Sequence, residues 1–551
     1  MPALKIVAAA ALMLLSACAS PLESGGAGPA STPSPPAVDP FASLTTQSAE
    51  MAAGRITSAQ LTSEYYGRIL EIDPALRSVL ALNTEALAEA GALDAERRAG
   101  RMRGPLHGLP VLLKDNIESL GLPTTAGSLA LVGNDNGRDA PLAARLRAAG
   151  AVILGKTNLS EWANIRSSDS ISGWSAVGGQ VRNPYALDRN PCGSSGGSAV
   201  AVAAGLAAGA IGTETNGSIV CPASVNGVVG LKPTVGLVSR THIVPISHSQ
   251  DTAGPMARTV ADVALLLSVI AGSDPADPVT AEVDRRRGDY PATLAAASLQ
   301  GARIGVLRFN AGFDPEVDAV FNAAVAELKA GGATVVEIAA LEGRNQVGGN
   351  SFQVLMTELK ADMAAYLATT KGPHRTLADL IAYNEANKAA EMPLFGQELF
   401  IQSEKTKGLN DPDYKKALAT ARRHAGPEGI DKLLREHKVD VLIAPTTGPA
   451  WLIDVVNGDQ YSGGGASTLP AVAGYPHLTV PMGRIRGLPV GLSFIGPAWS
   501  EARLLGLGHA YEQRRGALPP PRFLRSVEDD PEVALTLKPR TLTSQPVPPT
   551  L

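Results

Sequence analysis

The chain reads as an α/β protein, an α/β/α sandwich in which one large, mixed and mainly parallel sheet is covered by helices on both faces. Short apolar runs that suit buried strands, at 111–113, 151–154, 302–307 and 334–338, alternate with helical stretches at 141–149 and 317–330. A length of 551 residues and a 45% hydrophobic content supply enough apolar surface for a large core. A formal net charge of −4 and the lack of any dense Lys/Arg stripe exclude nucleic acid as a partner. The 8 His stand singly, with no HxxH, HxxxH or Cys-x-x-Cys pairing, so no metal and no cofactor is expected.

The opening, MPALKIVAAAALMLLSACAS, places one Lys before an apolar run at 6–15 that is too short to span a bilayer and suits a secretory signal. Leu15-Ser16-Ala17-Cys18 resembles the bacterial lipobox. Residues 1–17 are therefore expected to be a lipoprotein signal peptide and Cys18 to carry a lipid anchor. The plainer alternative makes Cys18 a small apolar residue inside a cleaved signal. Residues 18–40 are rich in Pro, Gly and Ser and read as a tether. The expected location is the cell envelope, with the membrane touched only through the anchor; in a Gram-negative host this means outer membrane or periplasm.

Residues 41–517 follow as one domain. At 41–103 the pattern is helical, with Thr57 and Gln60 opening one helix and Asn83 capping another. The core at 104–270 begins with PLHGLPVLLKDN, where Lys114 emerges from a buried strand. Lys is seldom fully buried, so its ordinary reading is a side chain that snorkels to solvent or pairs with Asp115. Gly150 to Thr157 matches the phosphate-loop pattern GxxxxGK[ST], but its middle residues, AVIL, are the strand itself, and nucleotide binding is rejected. A helix is expected at 260–270, a mostly helical flank at 351–438, further strands at 439–444 and 478–481, and a flexible loop at 462–467. The tail at 518–551, dominated by Pro and polar residues, reads as irregular.

The chemistry concentrates in the stretch 190–232. One Gly/Ser cluster is Gly193-Ser194-Ser195-Gly196-Gly197-Ser198, a second is Asn216-Gly217-Ser218, and a buried small-residue run joins them. Glycine lets backbone approach a substrate, and serine supplies hydroxyls. Ser195 also sits at the centre of GxSxG, yet the residues before it are loop chemistry with two prolines rather than the strand a nucleophile elbow follows. Cys192 and Cys221 flank the clusters. Export would permit a disulfide between them, while the reading favours two buried apolar thiols.

Lys114, the Gly193 to Ser198 cluster and Gly212-Thr213-Glu214-Thr215-Asn216-Gly217-Ser218-Ile219 together resemble the amidase signature family, densely over 104–261. Within it, GTETNGSIVCPA and GLKPTVGLVSR are most similar to the peptide amidases, which remove the C-terminal carboxamide of peptides. The resemblance implies Ser218 as nucleophile, Ser194 as bridging serine and Lys114 as base. It also implies an oxyanion hole from the backbone N–H groups of Thr215, Asn216, Gly217 and Ser218, and a cis peptide bond between the bridging serine and the next residue. Cys192, Asn216 and Val220 depart from the commoner pattern; the last removes an Arg beside the nucleophile and suits a neutral, amidated peptide end. Such a triad works only if the Lys is neutral, which its apolar surroundings would favour. The implied activity is hydrolysis of a carboxamide in a small-molecule or peptide substrate. The alternatives are a general aryl or aliphatic amidase, or a catalytically silent peptide-binding lipoprotein. The tRNA-dependent amidotransferase component with this core conflicts with the exported N-terminus, and the oligomeric state stays open.

Overall fold

A computed structural model describes residues 38–461 and 463–538. The expected signal peptide, Cys18, nearly all of the tether and the last residues of the tail lie outside the described residues. One sheet of 11 strands organises the domain. In chain order the strands are β1 Val79–Leu82, β2 Pro110–Lys114, β3 Val152–Thr157, β4 Gly209–Glu214, β5 Val229–Lys232, β6 Thr252–Ala257, β7 Arg303–Leu307, β8 Thr334–Ile338, β9 Val441–Pro445, β10 His477–Ile485 and β11 Leu488–Ile495. Their order across the sheet is β1-β3-β2-β4-β6-β5-β10-β11-β9-β7-β8.

The sheet is mixed, as the sequence leads one to expect, and its parallel pairing falls in two blocks. Strand β2 runs parallel to β3 and β4, and β7 runs parallel to β8 and β9. Helices Pro141–Ala148 and Pro315–Ala330 make the crossovers that parallel neighbours need. Between the blocks β4, β6, β5, β10, β11 and β9 pair antiparallel. The hairpin that joins β10 to β11 turns through Arg486 and Gly487, both at positive φ, the geometry of a tight two-residue connection. Helices Val260–Ile270, Glu501–Arg515 and Pro315–Ala330 pack on the sheet and on their neighbours, and Gly196–Ala203 and Val220–Val225 pack on the sheet and on each other. No helix among the described residues is long and apolar enough to cross a membrane.

The run from Gly196 to Glu214 is buried throughout, which its small side chains permit: a helix, a short turn, then β4. A Cβ at Gly197 would collide with the carbonyl oxygens of Asn158 and Ser78, so only glycine lets this helix seat against its neighbours. Strands β2, β3 and β4 are likewise buried along their whole length. Their carboxyl ends deliver Lys114, Thr157 and Glu214 to one edge, the place where α/β sheets carry their sites.

Four expectations are corrected. Cys192 and Cys221 are not free thiols; they form a disulfide, with Cα atoms 6.1 Å apart, because the fold lays the two Gly/Ser loops side by side. The cis peptide bond is Gly193–Ser194, one bond earlier than the resemblance implied. Asn83 does not cap its helix directly: its Oδ1 accepts the Glu85 amide in a turn before Ala86–Arg98 begins. The tail is not irregular throughout, since Asp530 caps a helix at Pro531–Leu537 and Leu524 bridges to Ala186. Thr57 and Gln60 do form a reciprocal capping box at Ser58–Leu76.

Candidate active site

Lys114 ends β2 with no exposure at all. It neither snorkels nor pairs with Asp115, whose carboxylate turns instead to the buried Lys156, 2.9 Å away. The Lys114 Nζ lies 2.6 Å from Ser194 Oγ, 2.9 Å from Thr213 Oγ1 and 3.3 Å from the Thr213 carbonyl oxygen. Asn116 Nδ2 donates to the same Thr213 hydroxyl at 2.9 Å. Burial pushes the Lys114 ammonium down from 10.5 to about 7, against the opposing pull of Asp251 and Glu214.

The neighbours of this amine suit its neutral form. A neutral amine has two N–H donors and one lone pair. Thr213 offers two oxygens, one for each N–H, and the lone pair is left facing the Ser194 hydroxyl. The arrangement therefore favours a base aimed at Ser194.

Ser194 and Ser195, adjacent in sequence, have opposite surroundings. The Ser195 hydroxyl donates to the Thr213 carbonyl at 3.0 Å and accepts the Thr213 amide at 3.2 Å, which locks it into the backbone of β4. That geometry leaves the accidental GxSxG match without a free nucleophile. Ser195 also ties the two loops together, since its amide donates to the Ser218 carbonyl at 3.1 Å. The Ser218 hydroxyl, in a residue 9% exposed, makes no hydrogen bond to Ser194 or to any other described residue.

The loop ahead of Ser218 is shaped for an anion. None of the amides of Thr215, Asn216, Gly217 and Ser218 donates to an acceptor among the described residues, and Gly217 sits at φ 87°. The next two amides, of Ile219 and Val220, are taken up by Glu214 Oε2 at 2.9 and 3.1 Å. Asp251 accepts the Thr215 hydroxyl at 2.5 Å and the amides of Ile246 and Ser247, and burial pushes its carboxyl up to about 6. Gln250 holds the Thr215 carbonyl at 3.3 Å and is itself held by Ser351 at 2.8 Å. On the solvent side, Asn216 Oδ1 accepts the Ser467 hydroxyl at 2.7 Å. Four unpaired amides on a braced loop are what a developing oxyanion requires.

An open groove of about 960 Å³ runs over the outer side of this loop, past Cys192, Gly193, Asn216 and Gly217. Its walls include Phe352 from the helical flank, Gly463 to Gly465 from the loop at 462–467, and Phe309, Phe313 and Trp451. A second cavity of about 470 Å³ touches Asn116, Ser194, Thr213 and Thr215. Ser194 and Thr215 thus line this cavity and Asn216 and Gly217 the groove, while Lys114 and Ser218 line neither; Lys114 meets Ser194 directly, and the Ser218 carbonyl accepts the Ser195 amide. Of the supporting residues missed, Asn116 had only its closeness to Lys114 as a signal: it stands two positions on, in the turn that follows β2. Thr213, Gln250 and Asp251 had none, because their part depends on contacts between distant segments.

Buried lysine, paired serines and a loop of unpaired amides at the carboxyl ends of a parallel block define an amide hydrolase. A family model described as Amidase matches residues 60–505, and the chain belongs to that family. The native peptide amidase of Stenotrophomonas maltophilia is similar at 54% identity and a TM-score of 0.83, over 87% of this chain and 98% of that one. A probable amidase of Arabidopsis thaliana is 39% identical over 85% of this chain and 89% of its own length. A putative amidase of Schizosaccharomyces pombe is 38% identical over 87% of this chain and 86% of its own length.

Proposed function

We propose that the chain removes the C-terminal carboxamide of peptides, yielding a free carboxylate and ammonia, through Ser218, Ser194 and Lys114. Ser218 attacks the carboxamide carbon as its proton passes to Ser194 and the Ser194 proton passes to Lys114. The amides of Thr215, Asn216, Gly217 and Ser218 hold the oxyanion; loss of one such donor costs about 3 kcal/mol. The proton then returns through Ser194 to the leaving nitrogen, ammonia departs, and water releases the acyl group from Ser218 by the same relay in reverse.

The observation that carries this reading is the fully buried Lys114 Nζ, 2.6 Å from Ser194 Oγ with Thr213 oxygens positioned for both of its remaining hydrogens. The peptide preference is supported by the open, aromatic-walled groove and by similarity to the peptide amidase of Stenotrophomonas maltophilia. Val220 lines that groove and offers no charge for a substrate carboxylate. Ammonia release should be faster by an order of magnitude or more, about 1.4 kcal/mol, from an N-blocked peptide amide than from acetamide or benzamide, with the free acid seen by mass spectrometry. Turnover of the small amides alone would transfer the assignment to a general amidase.

We propose further that Cys18 is lipidated and the domain held in the envelope. The Leu15 to Cys18 motif supports this, as does the Cys192–Cys221 disulfide, a bond at home in oxidising compartments. Full-length protein expressed in a bacterium should incorporate a fatty-acid label and sediment with membranes, and Cys18→Ser should lose the label. Equal labelling of the variant would contradict the anchor.

A further inference from the structure

We infer that the Cys192–Cys221 disulfide is a positioning element for the reaction itself, setting the approach of the Ser194 and Ser218 hydroxyls; this rests on the reading that Ser194 relays the Ser218 proton. Cys192 stands two residues before Ser194 and Cys221 three residues after Ser218, so the bond staples the two serine loops close to the atoms that exchange a proton.

Each loop is held on its own side, the Ser218 loop by Glu214, Asp251 and Ser467. Ser194 is fixed from behind by Lys114 and through its carbonyl by the Ser160 amide at 3.1 Å. The loop of Ser218 is tied to the loop of Ser194 by the Ser195 amide, at 3.1 Å from the Ser218 carbonyl, and by Asn226 Nδ2, at 2.9 Å from the Pro191 carbonyl. No bond joins the two serine hydroxyls. Their alignment is thus inherited from where the loops lie, and the disulfide is the covalent link that sets it. The bond also lines the open groove, within reach of solutes that enter there.

The test compares the full chain with the double variants Cys192→Ser/Cys221→Ser and Cys192→Ala/Cys221→Ala, and with wild type treated with tris(2-carboxyethyl)phosphine. In that treatment the S–S bond takes up two electrons and two protons to give two thiols, while the phosphine gains oxygen from water and becomes its oxide. Rates are normalised to sites that a fluorophosphonate labels to completion, so that unfolded molecules drop out. A misplacement of about 1 Å costs on the order of 100-fold, so kcat per site should fall roughly 10- to 100-fold in the variants, with KM changed less than about threefold. The acid limb of the pH profile should stay near 7, because the surroundings of Lys114 are untouched. Thiol counting on the treated protein confirms cleavage, and reoxidation should restore the rate. A kcat per site within about twofold of wild type in both variants overturns the inference, as does a rise in KM alone, which would mark the bond as groove wall. If the variants yield no labelled sites, cleaved wild type decides by the same criteria. Wild type that hydrolyses no amide and resists the label would instead sink the underlying reading.

Discussion

Ser218→Ala should abolish hydrolysis, lowering kcat/KM by at least about 10⁴-fold, while leaving the protein as stable as wild type to within about 0.5 kcal/mol. The size of the first effect follows from the order of the relay. Lys114 and Ser194 only move a proton, and with Ser218 gone there is no oxygen to form the acyl bond. The groove and the four loop amides remain, and they supply binding without chemistry. The smallness of the second effect follows from the structure: the Ser218 hydroxyl makes no hydrogen bond with any described residue, so its deletion orphans nothing. Ammonia release and a thermal melt on the same preparation check both halves. Ser195→Ala is the natural contrast, since it breaks two buried hydrogen bonds to Thr213 but leaves the attacking oxygen in place.

Lys114→Met should be nearly as inactive, with a loss on the order of 10⁴-fold in kcat, the upper range for a positioned general base. Its effect on stability has the opposite character. The Thr213 oxygens keep other donors, Asn116 on the hydroxyl and Ser195 on the carbonyl, so removing the amine strands neither. Burial also lowers the affinity of Lys114 for its proton, to a value of about 7 in the folded state against 10.5 unperturbed. Between those values the unfolded chain binds the proton and the folded one does not. The contribution of this group to stability therefore rises with pH across that window and is poorest below about 7. Lys114→Met should erase that slope. Urea titrations of both proteins across the window, read as midpoint against pH, would show it.

Much of the site is visible in the sequence for a physical reason. A charged residue at the end of an unbroken apolar strand, as Lys114 ends β2, has to be neutralised or partnered, and either outcome marks it. The Gly/Ser clusters are likewise legible, because glycine is needed where backbone crowds backbone, as at Gly197 against Asn158 and Ser78. What the sequence hides is pairing across distance. Strands β5 and β6, and the β10–β11 hairpin, are short or broken by Gly and Pro, so the antiparallel centre of the sheet shows weakly against the βαβ units on either side. The disulfide joins residues 29 apart, and nothing in that interval tells two apolar thiols from a bond. Phe309 and Phe313 follow β7, far in sequence from Ser218, and reach the groove only because β7 and its neighbours complete the same sheet. Asp530 and Pro531 carry a helix-start signal that the Pro-rich tail obscures.

The account depends on a water-shielded amine that draws a hydrogen through one hydroxyl to activate another. The most direct measurement is the rate at which a fluorophosphonate modifies the full chain between about pH 5 and about pH 9, with the modified residue located by mass spectrometry. The account predicts modification of Ser218 alone, at a rate that climbs through an inflection near 7 and collapses in Lys114→Met. Modification of Ser195, or an equal and pH-independent rate in the Lys114→Met protein, would contradict it.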